Sequence, residues 1–228
     1  RLSSVSSAQE ATQAPFKPLD TEAKGSRWSL ESPWLRPPTP DTGLAGEAAM
    51  LRAQSELLSH FVQSDRPLFP KRIAVPRQGH DGVHDVINCV DSWDGLGPAP
   101  CGDTVVLAHG FGMGLGVFMR NYGPLLERYN RVVGVDWLGM GGSSRPPPEV
   151  APRLPASPGK AVSFFVHSLE CWRQRMGICN LHLVGHSLGG YLAAQYAMQY
   201  PGNIRSLVLA SPAGVLPFPE GAFPQDWT

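Results

Sequence analysis

The chain has 228 residues, equal numbers of Lys+Arg and Asp+Glu (19 each), a formal net charge of zero and 42% hydrophobic content. That length supports one sizeable core, and the balanced charge excludes a nucleic-acid binder, which needs a clustered excess of cations against phosphate. No uninterrupted apolar run approaches the roughly 20 residues that span a bilayer, so any membrane contact is expected to be peripheral.

Residues 1–26 are rich in Ser, Ala, Thr and Pro with almost no apolar periodicity, which predicts a disordered leader. The first residue is Arg1 rather than Met, so the start of the gene product is expected to be missing or processed away. Glu10, Asp20 and Glu22 fit poorly with a transit peptide, although a plastid address stays open beside a cytoplasmic or peripheral one. Trp28 and Trp34 follow in a Pro-rich stretch ending at Pro40, and residues 1–40 are taken together as the leader. The two tryptophans either pack on their own domain or anchor the protein at a lipid interface.

Asp41 or Thr42 can cap a helix carrying Leu44, Ala48, Leu51, Leu58 and Val62 on one side and ending near Ser64. Residues 71–96 predict short strands, of which Val86–Val90 is the clearest, with Asp94-Gly95 a turn. A regular pattern starts at Asp103. The run Thr104–Ala108 predicts a buried strand feeding the glycine-rich loop His109-Gly110-Phe111-Gly112, and a helix is expected over Val117–Arg128. A second strand is expected over Arg131–Asp136, a helix over 160–176, a third strand over Leu181–Val184, a helix over Gly189–Tyr200 and a fourth strand over Ser206–Ala210. Strands alternating with helices predict an α/β fold with a mostly parallel, doubly wound sheet covered on both faces. The core is assigned to residues 41–211, with 212–228 the start of a cap segment. The four cysteines, Cys89, Cys101, Cys171 and Cys179, lack C-x-x-C spacing and are expected to be free thiols.

The chemistry sits at Gly185-His186-Ser187-Leu188-Gly189-Gly190, between a strand and a helix. In that context a G-x-S-x-G turn is a nucleophile elbow, with glycines at 185 and 189 making room for a strained serine at the carboxyl edge of the sheet. Ser187 is therefore the candidate nucleophile. The loop with Gly110 can bring a second backbone donor to the same place, so the N–H groups of Phe111 and Leu188 are the candidate oxyanion hole. His109 precedes the serine, against the order Ser, acid, His, and is not expected to be the base. Asp136 is expected to hold a turn rather than to react, and Arg145 to be a surface charge.

All seven histidines (60, 80, 84, 109, 167, 182 and 186) precede Ser187, and only Glu220 and Asp226 follow it as acids. A serine hydroxyl without a base is a poor nucleophile. The chain is accordingly expected to be a fragment, with the triad acid and histidine lying beyond Thr228. No cofactor or metal is implied. A site from His80, Asp81, His84 and Asp85 lacks a further ligand cluster, and the H-x-x-x-x-D matches at His60–Asp65 and His80–Asp85 read as chance.

The loop His109–Gly112 with Phe118, Arg120 and Asn121, the run Val135-Asp136-Trp137-Leu138-Gly139-Met140-Gly141-Gly142-Ser143-Ser144-Arg145-Pro146, and the elbow with Tyr191, Tyr196-Ala197 and Tyr200-Pro201 resemble one branch of the α/β-hydrolase superfamily. That branch comprises the Chanarin–Dorfman protein, the N-acyl-phospholipid lysophospholipase, the plant lysophosphatidate acyltransferase/phospholipases and the yeast cardiolipin deacylase. The resemblance covers roughly residues 28–215 and implies a serine-dependent acyl-ester hydrolase, or acyltransferase, acting on glycerophospholipids or lysophospholipids. It also implies that the Trp28 and Trp34 segment meets a membrane or lipid droplet. The Chanarin–Dorfman protein has Asn at the nucleophile position, so Ser187 favours an enzyme over a non-enzymatic lipase co-activator. A small-ester esterase or a peptidase remains the other reading of the same scaffold.

Overall fold

The computed structural model describes residues 43–96, 100, 102–146 and 157–214. The leader with Trp28 and Trp34, Cys101, and the cap segment from residue 215 onward, with Glu220 and Asp226, lie outside the described residues. Helix α1 (Gly43–Phe61) is built largely from Ala, Leu, Glu, Gln and Met, good helix formers, and buries Leu58. Two strands follow, β1 (Phe69–Pro76) and β2 (His84–Asp91), joined by a turn in which Gly79 and Gly82 have φ of +76° and +72°. A connection this short joins antiparallel neighbours, and the pair runs in register from Phe69 opposite Asp91 to Pro76 opposite His84.

The regular part comes next: β3 (Thr104–Ala108), a 3₁₀ turn at Leu115–Phe118, α2 (Met119–Leu126), β4 (Arg131–Val135), α3 (Pro158–Arg175), β5 (Leu181–His186), α4 (Leu188–Gln199) and β6 (Ile204–Ala210). The sheet order is β1-β2-β4-β3-β5-β6. Strands β4, β3, β5 and β6 are parallel to one another, while β1 and β2 are antiparallel additions at one edge. The expected helix over Val117–Arg128 is thus shorter and starts with a 3₁₀ turn.

Residues of β3 divide between the two faces with a period of two. Val106 and Ala108 join Trp137, Leu169, Trp172, Leu183 and Tyr196 under α3 and α4. Val105 and Leu107 join Leu58, Phe118, Tyr122 and Leu126 under α1 and α2. This two-sided cover explains why β3 and β4 are buried at every residue. The outer strand β6 leaves Val208 and Leu209 exposed.

Charged groups stitch the layers. Arg131 donates to both carboxylate oxygens of buried Asp91, at 3.0 and 2.7 Å, and to the Met176 carbonyl at 3.0 Å. Glu170 of α3 accepts from Arg173, Gln174, the Tyr196 hydroxyl at 2.6 Å and Asn203, tying α3 to α4 and the following turn. Burial works against the Glu170 charge, but these donors outweigh it and its carboxyl titrates below the usual range. Cys89, Cys171 and Cys179 are free thiols, and burial pushes the Cys89 thiol up to about 12.

Candidate active site

The carboxyl ends of β3 and β5 meet at one edge of the sheet, and Ser187 stands where β5 turns into α4. Its backbone has φ +54° and ψ −120°, a conformation that side chains rarely adopt and that costs on the order of 1–3 kcal/mol. The surroundings hold it there. The Ser187 N–H donates to the Ala210 carbonyl at the end of β6, and its carbonyl accepts from Gly190, Tyr191 and Ala213, each at 3.0 or 3.1 Å. The serine is therefore clamped between the α4 N-terminus and the exit of β6.

Three glycines permit the close approach. A Cβ at Gly185 would lie under 3.0 Å from the Gly189 carbonyl, and one at Gly189 under 3.0 Å from the carbonyls of Ala108 and His109. A Cβ at Gly110 would sit 3.0 Å from the Ser187 Cβ and 3.2 Å from the His186 Nδ1, which places the glycine loop directly against the serine. Leu188 is the first residue of α4, where N–H groups lack an intrahelical acceptor and carry the positive end of the helix dipole. Among the described residues neither Leu188 nor Phe111 donates its N–H to a backbone acceptor outside the regular elements. The Phe111 and Leu188 N–H groups are the candidates for the donors that the oxyanion of acyl transfer needs.

The glycine loop is held rigid from below. The Nδ1–H of fully buried His109 donates to the Gly110 carbonyl at 2.7 Å, and its Nε2 accepts from the Trp137 N–H at 3.3 Å. The Trp137 indole in turn donates to the His109 carbonyl at 2.9 Å. Burial lowers the His109 pKa, against the pull of the Gly110 carbonyl and of Asp136, whose Oδ1 is 3.5 Å from Nε2. A neutral imidazole satisfies both bonds, so His109 has its two nitrogens committed to the loop.

Asp136 is the second support. Its Oδ1 accepts from the Leu115 N–H at 2.6 Å, and its Oδ2 accepts from the Gly142 N–H at 2.8 Å and the Asn88 side chain at 2.7 Å. The carboxylate thereby joins the loop after β3, the loop after β4 and strand β2. Sequence reasoning treated it as a turn residue without seeing these partners, which come from three separate segments. Arg145 caps the Ser143 and Gly141 carbonyls of the same loop at 3.4 and 3.3 Å.

The other histidines are distributed elsewhere. His182 accepts or donates at 2.7 Å to Ser206 and stands 3.6 Å from Asp103, at the opposite end of the strands from Ser187. His186 lines an apolar groove of about 460 Å³ together with Leu107, Val184 and Ala210, and its Nδ1, on the side of Gly110, is buried without a hydrogen-bond partner among the described residues. Asp85 is engaged by Arg77 at 2.7 Å, and no group of three His, Cys, Asp or Glu side chains among the described residues could hold a metal. Likewise no described helix is long and apolar enough to cross a membrane.

Comparison with known proteins fits this geometry. Residues 103–226 match the model of a family described as the alpha/beta hydrolase fold. A probable 1-acylglycerol-3-phosphate O-acyltransferase of Oryza sativa subsp. japonica is 35% identical over 84% of this chain and 45% of its own length. The (Lyso)-N-acylphosphatidylethanolamine lipase of Homo sapiens is 42% identical over 48% of this chain and 30% of its own. Among solved structures, a bacterial membrane phospholipase A superposes with a TM-score of 0.56 at 28% identity, over 78% of this chain and 49% of that one. The chain spans half or less of the length of the curated relatives named here.

Proposed function

This chain belongs to the α/β-hydrolase fold family, and from that premise we propose that it carries the nucleophile of a serine-dependent acyl-ester hydrolase acting on glycerophospholipids or lysophospholipids. The observation that carries the reading is the strained Ser187 at the N-terminus of α4, packed closely against Gly110 of the glycine loop. A serine that only capped a helix would need neither the unfavourable backbone nor the three close-packed glycines.

In the proposed reaction the Ser187 Oγ attacks the ester carbonyl carbon as a general base takes its proton. The carbonyl oxygen becomes an oxyanion held by the N–H groups of Phe111 and Leu188. The C–O bond to the glycerol oxygen then breaks, and the leaving oxygen takes a proton, giving an acyl-serine and a deacylated lipid. Water releases the fatty acid from the acyl-serine, whereas a lipid hydroxyl in its place gives acyl transfer. The base is a group that the described histidines do not place on Ser187. The lipid substrate rests on the relatives, whose names specify 1-acylglycerol-3-phosphate and N-acylphosphatidylethanolamine.

The test uses the polypeptide as its gene encodes it. Acyl release from lysophosphatidate and from lyso-N-acylphosphatidylethanolamine is expected, with loss of about 10³-fold or more in Ser187→Ala. Turnover confined to short, water-soluble esters would assign the scaffold to a different substrate class.

A further inference from the structure

Helix α1 precedes the segment that matches the hydrolase-fold family, which begins at residue 103, yet one of its faces reaches both loops that Asp136 joins. Met50, Gln54, Leu57 and Leu58 recur at the spacing that puts side chains on one side of a helix. Leu58 is buried in the core. A Cβ at Gly142, in the loop after β4, would lie 2.9 Å from the Met50 Cε. One at Gly116, in the loop after β3, would lie 3.1 Å from the Leu57 Cδ2. Between these two apolar contacts stands a polar one, in which the Gln54 Oε1 accepts from the Asn88 amide of β2 at 2.8 Å.

That bond has a fixed polarity. Asn88 is fully buried, and the same Nδ2 donates its other proton to the Asp136 Oδ2 at 2.7 Å. Turning the amide over would set its oxygen against the carboxylate, so Asn88 must present its NH₂ here and α1 must answer with an oxygen. Gln54 does so at a cost. Its own Nε2 is buried without a hydrogen-bond partner among the described residues, as is the Asn88 Oδ1. An apolar residue at 54 would remove the stranded Gln54 donor but strand one Asn88 N–H, so the two effects on stability oppose each other. Stability alone therefore gives no reason for an amide at this position.

From Asp136 the chain of bonds continues to the glycine loop. The carboxylate Oδ1 holds the Leu115 N–H at 2.6 Å, and the turn just before it closes through the Met113 N–H on the Gly110 carbonyl at 3.3 Å, with Phe111 inside. These contacts lie on the β2 and β4 half of the sheet, away from the β6 edge. We propose that Gln54 is a positioning residue for the oxyanion hole, fixing through Asn88 and Asp136 the loop that carries the Phe111 N–H. The proposal rests on the hydrolase reading of Ser187 and extends its machinery to a helix outside the matched segment. Gln54 acts on orientation alone, so its loss weakens the transition state and leaves ground-state binding in place.

The experiment compares wild type, Ser187→Ala, Gln54→Met and Leu58→Ala, each as the full gene product. The substrate is p-nitrophenyl butyrate, and butylboronic acid serves as the mimic of the tetrahedral intermediate. Counting kcat per serine titrated with a fluorophosphonate keeps unfolded molecules out of the value. Gln54→Met should lower kcat roughly tenfold and weaken boronic acid binding by about the same factor, with KM within about twofold of wild type. Its unfolding midpoint should stay within about 2 °C of wild type. Leu58→Ala should lower the midpoint by several degrees and leave kcat per titrated serine within about twofold. Wild-type kcat and boronic acid affinity in Gln54→Met overturn the proposal. So does an equal loss of both in Leu58→Ala, since any loosening of α1 would then suffice. Hydrolysis that survives Ser187→Ala, or is absent from wild type, overturns the hydrolase reading and this proposal with it. Hydrolysis that needs Ser187 but ignores Gln54 overturns the proposal alone.

Discussion

Replacing Asp136 by Asn keeps the size of the side chain and removes one acceptor and the charge. The carboxylate serves three donors, Leu115 N–H, Gly142 N–H and the Asn88 amide, at 2.6–2.8 Å, and is only 2% exposed. An Asn side chain has one acceptor oxygen. Its less costly orientation keeps the oxygen on Gly142 and Asn88 and turns the NH₂ toward Leu115, so two donors face each other. One buried N–H left without an acceptor costs about 1–3 kcal/mol, and the two surviving bonds lose their charge assistance. The sum is a destabilisation of about 2–4 kcal/mol, a large part of the roughly 5–15 kcal/mol that holds an ordinary domain together. Asp136→Ala abandons all three donors and should cost about 3–6 kcal/mol on the same reasoning. Urea unfolding followed by fluorescence reads both values, and the Asn variant should also slow ester turnover because Leu115 anchors the loop that holds Phe111. A change below about 0.5 kcal/mol in Asp136→Asn, within the range of ordinary surface substitutions, would refute the assignment of Asp136 as the support of both loops.

The remaining predictions address the elbow, the loop histidine and the helix layer. Gly189→Ala places a Cβ against the Ala108 and His109 carbonyls, both backbone, and should cost about 1–3 kcal/mol with a larger loss of activity, read by thermal unfolding and ester hydrolysis. Burial depresses the His109 pKa from 6.5, so the unfolded chain binds its proton more readily. Its contribution to stability is full above the unfolded value and is lost as the pH falls below it. Unfolding free energies measured from pH 7.5 to 5 should decline in wild type and decline less in His109→Gln. Glu170→Gln removes the charge-assisted bonds from Arg173 and Tyr196 and should cost about 1–3 kcal/mol at neutral pH. Because the Glu170 carboxyl is depressed below 4.5, that penalty should be present above 4.5 and shrink as the pH falls below it, which a denaturation series from pH 7 to 3 checks.

The strands of the parallel part were legible because each is a short apolar run between turn residues, with β3 and β4 buried at every position, and no partner need be known to recognise it. The β1–β2 hairpin was not, beyond Val86–Val90. Its strands hold Lys71, Arg72, Asp85, Asn88 and Asp91 between apolar residues. Their polar residues find partners once folded: Arg77 pairs with Asp85 across the hairpin, while Arg131 reaches Asp91 and Asp136 reaches Asn88 only through tertiary structure. Ser187 could be read from sequence because the elbow is local: six consecutive residues contain the strand end, the turn and the helix start. The Asp136 centre could not, since Leu115, Gly142 and Asn88 converge only after the sheet has formed. Burial within the loop after β3 was likewise hidden, because the pattern in His109–Phe118 does not tell Leu115, which is buried, from Met113, which is not.

The central claim is that Ser187 is a nucleophile, and covalent labelling by a fluorophosphonate tests it most directly. Intact-mass and peptide analysis of the full gene product should show one adduct, carried by Ser187 and abolished in Ser187→Ala while the unfolding midpoint stays unchanged. An adduct on another residue, or none at Ser187 in a folded protein that still hydrolyses lipid esters, would contradict the account.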